Sequence, residues 1–232
     1  MKKAYHLPYV IDPTNNRFVY YENHWKAVAL KLLLKHTQSS GKKVLDYGSG
    51  RGESLKIFSE AGFQVMGTDL DPECVRLSSA FGPSKLLNLA DPVGQFGAKS
   101  VNIVTCFHVL EHVDNPKETL NHLREIASEY VLLAVPNLRT LQRMFTRNIS
   151  LDVVNEGHLQ SWDHWHLRNL AERHCSLQLV EWASDTTIMP GISELVLRVL
   201  GQRAAISLET GFFRAMLPMH SVSIIGLFKC LK

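Results

Sequence analysis

Short apolar runs alternate with amphipathic stretches along most of the 232-residue chain. Apolar residues that recur every three or four positions, as Leu120, Leu123 and Ile126 do, predict helices between these runs. Asn115 before a proline is typical of a helix start, and Gly62 is typical of a helix end. The alternation favours a parallel sheet with helices on both faces. The predicted strands are 43–47, 64–69, 85–89, 101–107, 130–135, 177–183 and 222–230.

Two stretches depart from this alternation. A helix predicted over 20–35 precedes the first strand, so we assign 1–41 to an N-terminal helical cap segment and 42–232 to the main domain. Between the last two strands lies a segment of about 184–221, whereas a simple hairpin loop would need only about 2–5 residues. Its apolar residues have helical spacing. We predict a helical insert there that takes part in substrate selection.

Composition is that of an ordinary globular protein, with 45% apolar and 20% charged residues. The net charge of +3 is too small to favour a nucleic-acid partner. The four cysteines lie far apart without a C-x-x-C pair, which argues against a zinc knuckle or a disulfide framework. Neither a signal-peptide pattern nor an apolar run of about 20 residues is seen. We expect a cytoplasmic protein.

The most informative segment is V-L-D-Y-G-S-G-R-G, residues 44–52, which closes the first predicted strand and opens a helix. Gly48, Gly50 and Gly52 allow a sharp turn and a close approach of a ligand to the backbone. The loop lacks the G-K-[ST] ending of a triphosphate-binding loop. Asp46 would repel a pyrophosphate but can hold a cationic amino group.

A second carboxylate follows at the end of the next predicted strand, V-M-G-T-D. Asp69 lies 17 residues after Gly52, and in a doubly wound sheet it would lie beside the glycine loop. There it can accept hydrogen bonds from both hydroxyls of a ribose. The alternative is that Asp69 only caps the helix that starts near Pro72.

Together with I-V-T-C-F-H-V-L-E-H-V at 103–113 and V-P-N at 135–137, these motifs resemble the class I S-adenosylmethionine-dependent methyltransferases. The similarity is to the broad group that includes ubiquinone-biosynthesis O-methyltransferases. It is strong over about 42–137 and weaker to about residue 182. The resemblance implies a Rossmann-like, doubly wound, seven-stranded sheet that is mostly parallel with an antiparallel last strand. It also implies S-adenosylmethionine as the cofactor.

The resemblance implies specific cofactor contacts. Asp46, Gly48 and Gly50 would hold the methionine moiety, and Asp69 would hold the ribose. At the position that meets the adenine amino group, this chain has Asn88 where the family usually has an acid, with Asp91 as the other candidate. The implied cofactor-binding residues are Asp46, Gly48, Ser49, Gly50, Gly52, Asp69, Leu70, Asn88, Leu89 and Phe107.

His108, Glu111 and His112 form H-x-x-E-H after the fourth predicted strand, and His158 follows at a distance. Some similar proteins carry E-x-x-E-H with a distant histidine and bind a divalent metal, but here His108 replaces the first glutamate. Binding of a divalent metal by these residues therefore stays an open alternative that is not favoured. The favoured interpretation is that Glu111 and His112 orient the loop and cap the next helix.

The function we predict is S-adenosylmethionine-dependent methyl transfer, most plausibly to an oxygen of a small-molecule or lipid-like acceptor. His158 and His108 are the catalytic candidates, because an imidazole titrates near neutral pH. The alternatives are a non-catalytic scaffold that binds the cofactor and, less favoured, a nicotinamide-dependent oxidoreductase. Membrane-surface contact through the helical insert and a homodimer both stay open.

Overall fold

Seven strands run through the part of the chain that the computed structural model describes, residues 16–145 and 155–231. They are β1 (Lys43–Tyr47), β2 (Gln64–Asp69), β3 (Ser84–Leu86), β4 (Val101–Phe107), β5 (Ala127–Pro136), β6 (Leu177–Ser184) and β7 (Ser223–Cys230). The helices are α1 (Asn16–Leu34), α2 (Glu53–Glu60), α3 (Pro72–Ser78), α4 (Pro92–Phe96), α5 (Pro116–Ile126), α6 (Leu141–Phe145), α7 (His164–His174), α8 (Ile192–Ser207) and α9 (Arg214–Met216).

The strands form one sheet in the order β3-β2-β1-β4-β5-β7-β6. The pairs β1–β2, β1–β4, β2–β3 and β4–β5 are parallel. β7 lies between β5 and β6 and is antiparallel to both. This arrangement confirms the predicted doubly wound, mostly parallel sheet with an antiparallel last strand.

Side chains on the two faces of the sheet enter separate apolar cores. Leu120 and Leu123 of α5 pack with Leu167 of α7 in one core. Trp25 of α1 and Phe58 of α2 pack in the other. Because successive strand side chains point to opposite faces, each inner strand contributes to both cores. Helices therefore cover both faces, as predicted.

Some predicted boundaries differ from the observed ones. The strand predicted over 85–89 is β3, Ser84–Leu86, so Asn88 and Leu89 lie in the loop that follows it. The strand predicted to begin at residue 130 is β5, which follows α5 directly at Ala127. A register shift between Val101 and Ile103 accommodates this extra length in the pairing with β4. The pattern alone showed neither the early end of β3 nor this bulge.

The segment between β6 and β7 contains α8, a π-helical turn at Leu208–Phe213, α9 and a 3-10 turn at Pro218–His220. α8 is kinked at Gly201, whose φ is +81°. Several of its apolar side chains face outward, among them Leu195, Val199 and Leu200. Within the described ranges, no helix combines the length and apolar character that a membrane span requires.

The first turn of α5 depends on a side-chain cap at Asn115, which accepts the backbone N–H of Glu118 at 3.2 Å. Asn115→Ala is expected to lower the free energy of unfolding by about 1 kcal/mol, because the N–H loses its acceptor. Urea unfolding measures this difference. Asn115→Asp keeps an acceptor and should stay near the wild type; an alanine variant as stable as the aspartate variant would contradict the assignment.

Candidate active site

The loop between β1 and α2 has three glycines in left-handed backbone conformations. The φ angles are +80° at Gly48, +52° at Gly50 and +87° at Gly52. A Cβ at Gly48 would lie 2.3 Å from Cγ2 of Val109, in the segment that follows β4. The loops after β1 and β4 are therefore in close contact, and a larger residue at position 48 would have to displace the Val109 side chain.

Asp69 lies at the end of β2, beside this loop. Its Oδ2 accepts the N–H of Gly50 at 2.9 Å, and its Oδ1 accepts the N–H of Asp71 at 3.0 Å. The helix cap of α3 is Asp71, which accepts the N–H of Glu73. The capping alternative for Asp69 is therefore wrong. Each Asp69 oxygen also has lone-pair capacity left for a ligand hydroxyl.

Asp46 is buried at the end of β1, beneath the same loop. Thr105 donates a hydrogen bond to its Oδ1 at 2.7 Å. Burial raises the pKa of Asp46 to about 7, against the lowering effect of the Thr105 hydrogen bond, and the charge of Asp69 raises it further. The carboxyl is thus poised to ionise when a cation arrives beside it.

The residues proposed for the adenine lie in the neighbouring loops. Leu70 and Leu89 are 56% and 59% exposed, so both apolar side chains are accessible to a flat ring. Oδ1 of Asn88 accepts the N–H of Ala90 at 3.2 Å. Asp91 caps α4. Asn88 and Asp91, the two candidates for the adenine amino group, each accept one backbone N–H, so both stay open.

Two further predicted cofactor contacts are buried. Phe107 packs with its ring centroid 5.3 Å from that of Trp25 and 6.3 Å from that of Phe58, inside one of the two cores. It contributes to the packing beneath the site.

The hydroxyl of Ser49 is buried in the glycine loop without a hydrogen-bond partner in the described part of the chain. Such an orphaned polar atom is typical of a site that a ligand completes.

A cavity of about 450 Å³ opens at the same edge of the sheet. Trp25 of α1 and His108 after β4 line it, together with Asp185 after β6 and with Ile188 and Glu194 of the following segment. This volume lies in the range of about 300–1,000 Å³ that small-molecule sites occupy. The segment after β6 therefore forms one wall of the candidate acceptor site.

Sequence reasoning missed the polar floor of this cavity. Asp185 and Thr186 are 2% and 1% exposed, and Oδ1 of Asp185 accepts the N–H of Ser223 at 3.1 Å. Burial raises the pKa of the Asp185 carboxyl. The signal that could have found them is the polar run D-T-T directly after an apolar strand. The same pattern drew attention to Asp69.

His108 begins the H-x-x-E-H segment with a φ of +54°, which is uncommon for a residue with a Cβ. Its ring lies edge-on to Trp25 with the centroids 5.0 Å apart. Its Nδ1 is 3.3 Å from Oε1 of Glu111, without the geometry of a hydrogen bond. Glu111 is 1% exposed, and neither of its carboxylate oxygens has a hydrogen-bond partner among the described residues.

His112 and His158 complete this cluster, with their ring centroids 4.9 Å apart. His112 Nδ1 is 2.8 Å from the carbonyl oxygen of Gly157, which fixes the ring. The prediction that Glu111 and His112 cap the next helix is wrong, because Asn115 caps α5. They do hold the loop: the Glu111 carbonyl accepts backbone N–H groups of the segment after His158.

Ligand atoms of Glu111, His112 and His158 all lie within 4.8 Å of one another. One carboxylate and two imidazoles in this arrangement fit a divalent metal, and the buried carboxylate without a donor is the observation that supports it. Both catalytic candidates lie close to Glu111: His108 through its Nδ1, 3.3 Å from Oε1, and His158 through a ligand atom within 4.8 Å of a carboxylate oxygen. Of the two, only His108 is among the described residues that line the cavity.

A glycine loop after β1 and an acid at the end of β2, in a sheet whose last strand is antiparallel, define the class I methyltransferase fold. A family model described as a methyltransferase domain matches residues 18–178. The chain belongs to this methyltransferase family. The resemblance to class I S-adenosylmethionine-dependent methyltransferases is therefore confirmed, and S-adenosylmethionine is the cofactor of that class.

Curated relatives match a shorter part of the chain. The ubiquinone biosynthesis O-methyltransferase of Nitrosospira multiformis is 30% identical over 99 residues, which are 40% of this chain and 41% of that protein. The enzyme of the same name from Bordetella pertussis is 32% identical over 94 residues, which are 38% of this chain and 39% of that protein. The chain spans about two fifths of the length of the curated relatives it matches.

Solved structures match nearly the whole chain. One is a chain of the complex between the Haloferax volcanii Trm112 methyltransferase activator and a methyltransferase, with a TM-score of 0.66, 18% identity, and coverage of 94% of this chain and 95% of that one. Another is magnesium protoporphyrin IX methyltransferase from Synechocystis PCC 6803 with bound SAH, with a TM-score of 0.60, 16% identity, and coverage of 91% and 84%. At these identities the likeness shows the fold alone.

Gly48→Ala should weaken binding of S-adenosylmethionine at least about tenfold, because its Cβ would push Val109 and distort the loop. Gly201→Ala is the matched control. Its φ of +81° carries the same backbone strain, but no atom of the described residues lies within 4 Å of the added Cβ, and the position is far along α8. Calorimetric titration of both variants measures the difference. Equal affinities in the two variants would contradict a role of the loop in binding.

The pH dependence of stability should reveal the buried Asp46. The folded protein keeps this carboxyl protonated up to about pH 7, whereas the unfolded chain loses the proton near pH 4. The stability that Asp46 contributes is therefore lost as pH rises through about 4–7. Asp46→Asn should gain stability relative to the wild type between pH 5 and pH 8, measured by urea unfolding. A difference that does not change with pH would disprove the raised pKa.

Proposed function

We propose that the protein transfers a methyl group from S-adenosylmethionine to an acceptor bound in the cavity beside His108. The single observation that carries this proposal is the glycine loop, which contacts the segment after β4 at Gly48 and bonds to Asp69 through Gly50. Donor and acceptor would then meet at the carboxyl edge of the sheet, where open α/β sheets bind their ligands.

The residues fit the proposed cofactor. Gly48, Gly50 and Gly52 leave the backbone open to a close approach, and the orphaned Ser49 hydroxyl lies in the same loop. Asp69 is placed to accept ribose hydroxyls, and the ionised form of Asp46 would offset positive charge on the methionine moiety. Leu70 and Leu89 would flank the adenine, and Asn88 or Asp91 would accept a hydrogen bond from its amino group.

The bound cofactor supplies a methyl group already activated by the neighbouring sulfonium. The protein then has to align an acceptor atom with that carbon and exclude water. For a hydroxyl acceptor, an oxygen–carbon bond forms as the sulfur–carbon bond breaks, and the hydroxyl proton must leave. His108 lies in the cavity wall and would receive it. His158, close to Glu111, is the second candidate.

We propose an oxygen of a small-molecule or lipid-like acceptor as the methyl-receiving atom. The cavity volume and its apolar side chains Trp25, Ile188 and Val222 support an acceptor with an apolar body. The 30% identical ubiquinone biosynthesis O-methyltransferase supports an oxygen acceptor. Membrane-surface contact through the segment after β6 and a homodimer stay predictions. A cytoplasmic location also stays a prediction. The four cysteines are free thiols, as is usual for proteins of that compartment.

The first experiment is calorimetric titration of S-adenosylmethionine into the wild type and into Asp69→Ala, with NADH as the control ligand. Micromolar binding by the wild type that falls at least about tenfold in the variant is expected, because the ribose loses a charged hydrogen-bond partner. NADH should not bind. A folded wild type that binds NADH instead, or neither compound, would overturn the proposal.

Methyl transfer is then measured with radiolabelled S-adenosylmethionine and three probe acceptors: catechol, benzoate and aniline. We expect label on an oxygen acceptor and no label on aniline. Label on aniline alone would refute the oxygen acceptor, although methyltransferase activity would still be shown. Cofactor binding without transfer to any probe would support the scaffold alternative over the enzyme.

A further inference from the structure

The charged side chains that line the cavity beside His108 are carboxylates. Glu22 of α1, Asp185 after β6 and Glu194 of α8 all belong to its lining. Among the described residues that line it there is no lysine or arginine, and His108 is the one imidazole. A cleft lined by one sign of charge concentrates ligands of the opposite sign. The cavity is therefore built to attract positive charge.

The charges of the two glutamates are only partly compensated. Oε2 of Glu194 accepts the N–H of Gly191 at 2.6 Å, which leaves Oε1 for another donor. Glu22 lies one helical turn from Lys26, whose Nζ is 3.7 Å from Oε2, outside the cavity lining. Such an i,i+4 pair at a partly exposed position is weak. Both glutamates can therefore accept hydrogen bonds from a ligand.

Asp185 contributes less negative charge than the glutamates. Its Oδ1 accepts the N–H of Ser223 at 3.1 Å, and burial raises the pKa of its carboxyl. Arg214 also lies near it, because its Nη1 donates to the carbonyl oxygen of Ser184 at 3.5 Å. The attraction of positive charge therefore depends chiefly on Glu22 and Glu194.

Thr186 supplies a polar group whose partner is missing. It is 1% exposed and lines the cavity, and its Oγ1 has no hydrogen-bond partner among the described residues. A buried hydroxyl without a partner costs stability, so such an atom is typical of a site that a ligand completes. Because a hydroxyl oxygen has two lone pairs, it can accept an N–H group.

The position of Glu22 on α1 relates these acceptors to the proposed reacting atom. Glu22 and Trp25 are three positions apart, so they lie on the same face of the helix. The Trp25 ring is 5.0 Å from that of His108, centroid to centroid. An acceptor with its oxygen at His108 would therefore have its apolar body against Trp25 and a further group within reach of Glu22.

We propose that the acceptor carries a cationic amine, which Glu22, Glu194 and Thr186 recognise. The cavity then selects positively charged acceptors over neutral and negatively charged ones of similar shape. A primary ammonium group has three N–H donors, and these three side chains offer acceptors for them. This inference rests on the proposed function, since it concerns the acceptor of the same reaction, but binding without turnover tests it separately.

The experiment compares three probes that share a catechol ring and differ in the charge of the side chain. Dopamine carries an ammonium group, ethylcatechol is neutral and homoprotocatechuate carries a carboxylate. Calorimetric titration into the full chain without the methyl donor measures binding alone. Dopamine should bind at least about tenfold more tightly than homoprotocatechuate, because like charges repel across an interface. Equal affinities, a preference for the carboxylate or no binding of dopamine would overturn the proposal.

The double variant Glu22→Gln/Glu194→Gln tests the residues assigned to the charge preference. Glutamine keeps an acceptor for the N–H of Gly191 but removes the charge. Dopamine affinity should fall at least about tenfold, whereas that of ethylcatechol should change less than about twofold. The different responses of the two probes separate charge recognition from a structural effect.

Glu60→Gln is the matched control for this variant. Glu60 lies on α2, outside the cavity lining, and is also four positions from its lysine partner, with Oε1 4.0 Å from Nζ of Lys56. Its substitution should leave the affinity for dopamine unchanged. An equal loss in the control, or an unchanged dopamine affinity in the double variant, would refute the assignment.

Thr186→Val tests the hydroxyl by replacing it with a methyl group of similar size. The free protein should be at least as stable in urea unfolding, because no hydrogen bond to a described residue is lost. Dopamine affinity should fall at least about threefold, since the bound amine loses an acceptor. Unchanged dopamine affinity would contradict the role assigned to Thr186.

Methyl transfer from radiolabelled S-adenosylmethionine to the same three probes separates this inference from the proposed function. Selective binding of dopamine without transfer to any probe would support the recognition of an amine and count against the transfer. Transfer to dopamine and homoprotocatechuate at equal rates would support the proposed function and refute the selectivity.

Discussion

The parallel pairing of β1 with β2 on one side and β4 on the other brings the glycine loop, Asp69 and His108 to the same edge of the sheet. The connections from β1 and β4 leave the sheet at neighbouring points of one edge, so the glycine loop and the segment after β4 meet. Their contact at Gly48 and Val109 leaves no space for a side chain at position 48. The proposed cofactor loop and the segment that carries His108 are therefore packed against each other.

Three buried carboxylates lie at this edge: Asp46, Glu111 and Asp185, the last of which accepts the N–H of Ser223. Asp46 receives one side-chain hydrogen bond, from Thr105, and Glu111 receives none from the described residues. Among the described residues, neither Asp46 nor Glu111 has an arginine or lysine at hydrogen-bonding distance, and the nearest basic group to Glu111 is His108, with Nδ1 3.3 Å from Oε1. When ionised, each carboxylate would favour the approach of positive charge, Asp46 beneath the glycine loop and Glu111 beside His108. The proposed sulfonium cofactor would bring such a charge to the glycine loop.

Sequence patterns predicted the sheet, the glycine loop and Asp69, because these depend on strand alternation and on local backbone chemistry. The role of Asn115 as a helix cap was also predictable, since a capping residue before proline depends only on neighbouring residues. The cavity was not predictable, because Trp25 and Asp185 meet only through the packing of α1 and the segment after β6 around the sheet. The lack of hydrogen-bond donors for the Glu111 carboxylate among the described residues was not predictable for the same reason, because it depends on which side chains pack around it.

The position of β7 between β5 and β6 has a consequence for how the chain assembles during synthesis. β6 pairs with β7 alone among the described strands, and β7 follows it by nearly forty residues. The ladder from β3 to β5 can form while these later residues are still inside the ribosome, but β6 has no neighbour until β7 emerges. The glycine loop can therefore fold early, whereas the cavity floor at Asp185 waits for Ser223 to supply its N–H. A nascent chain would form the glycine loop before the floor of the cavity.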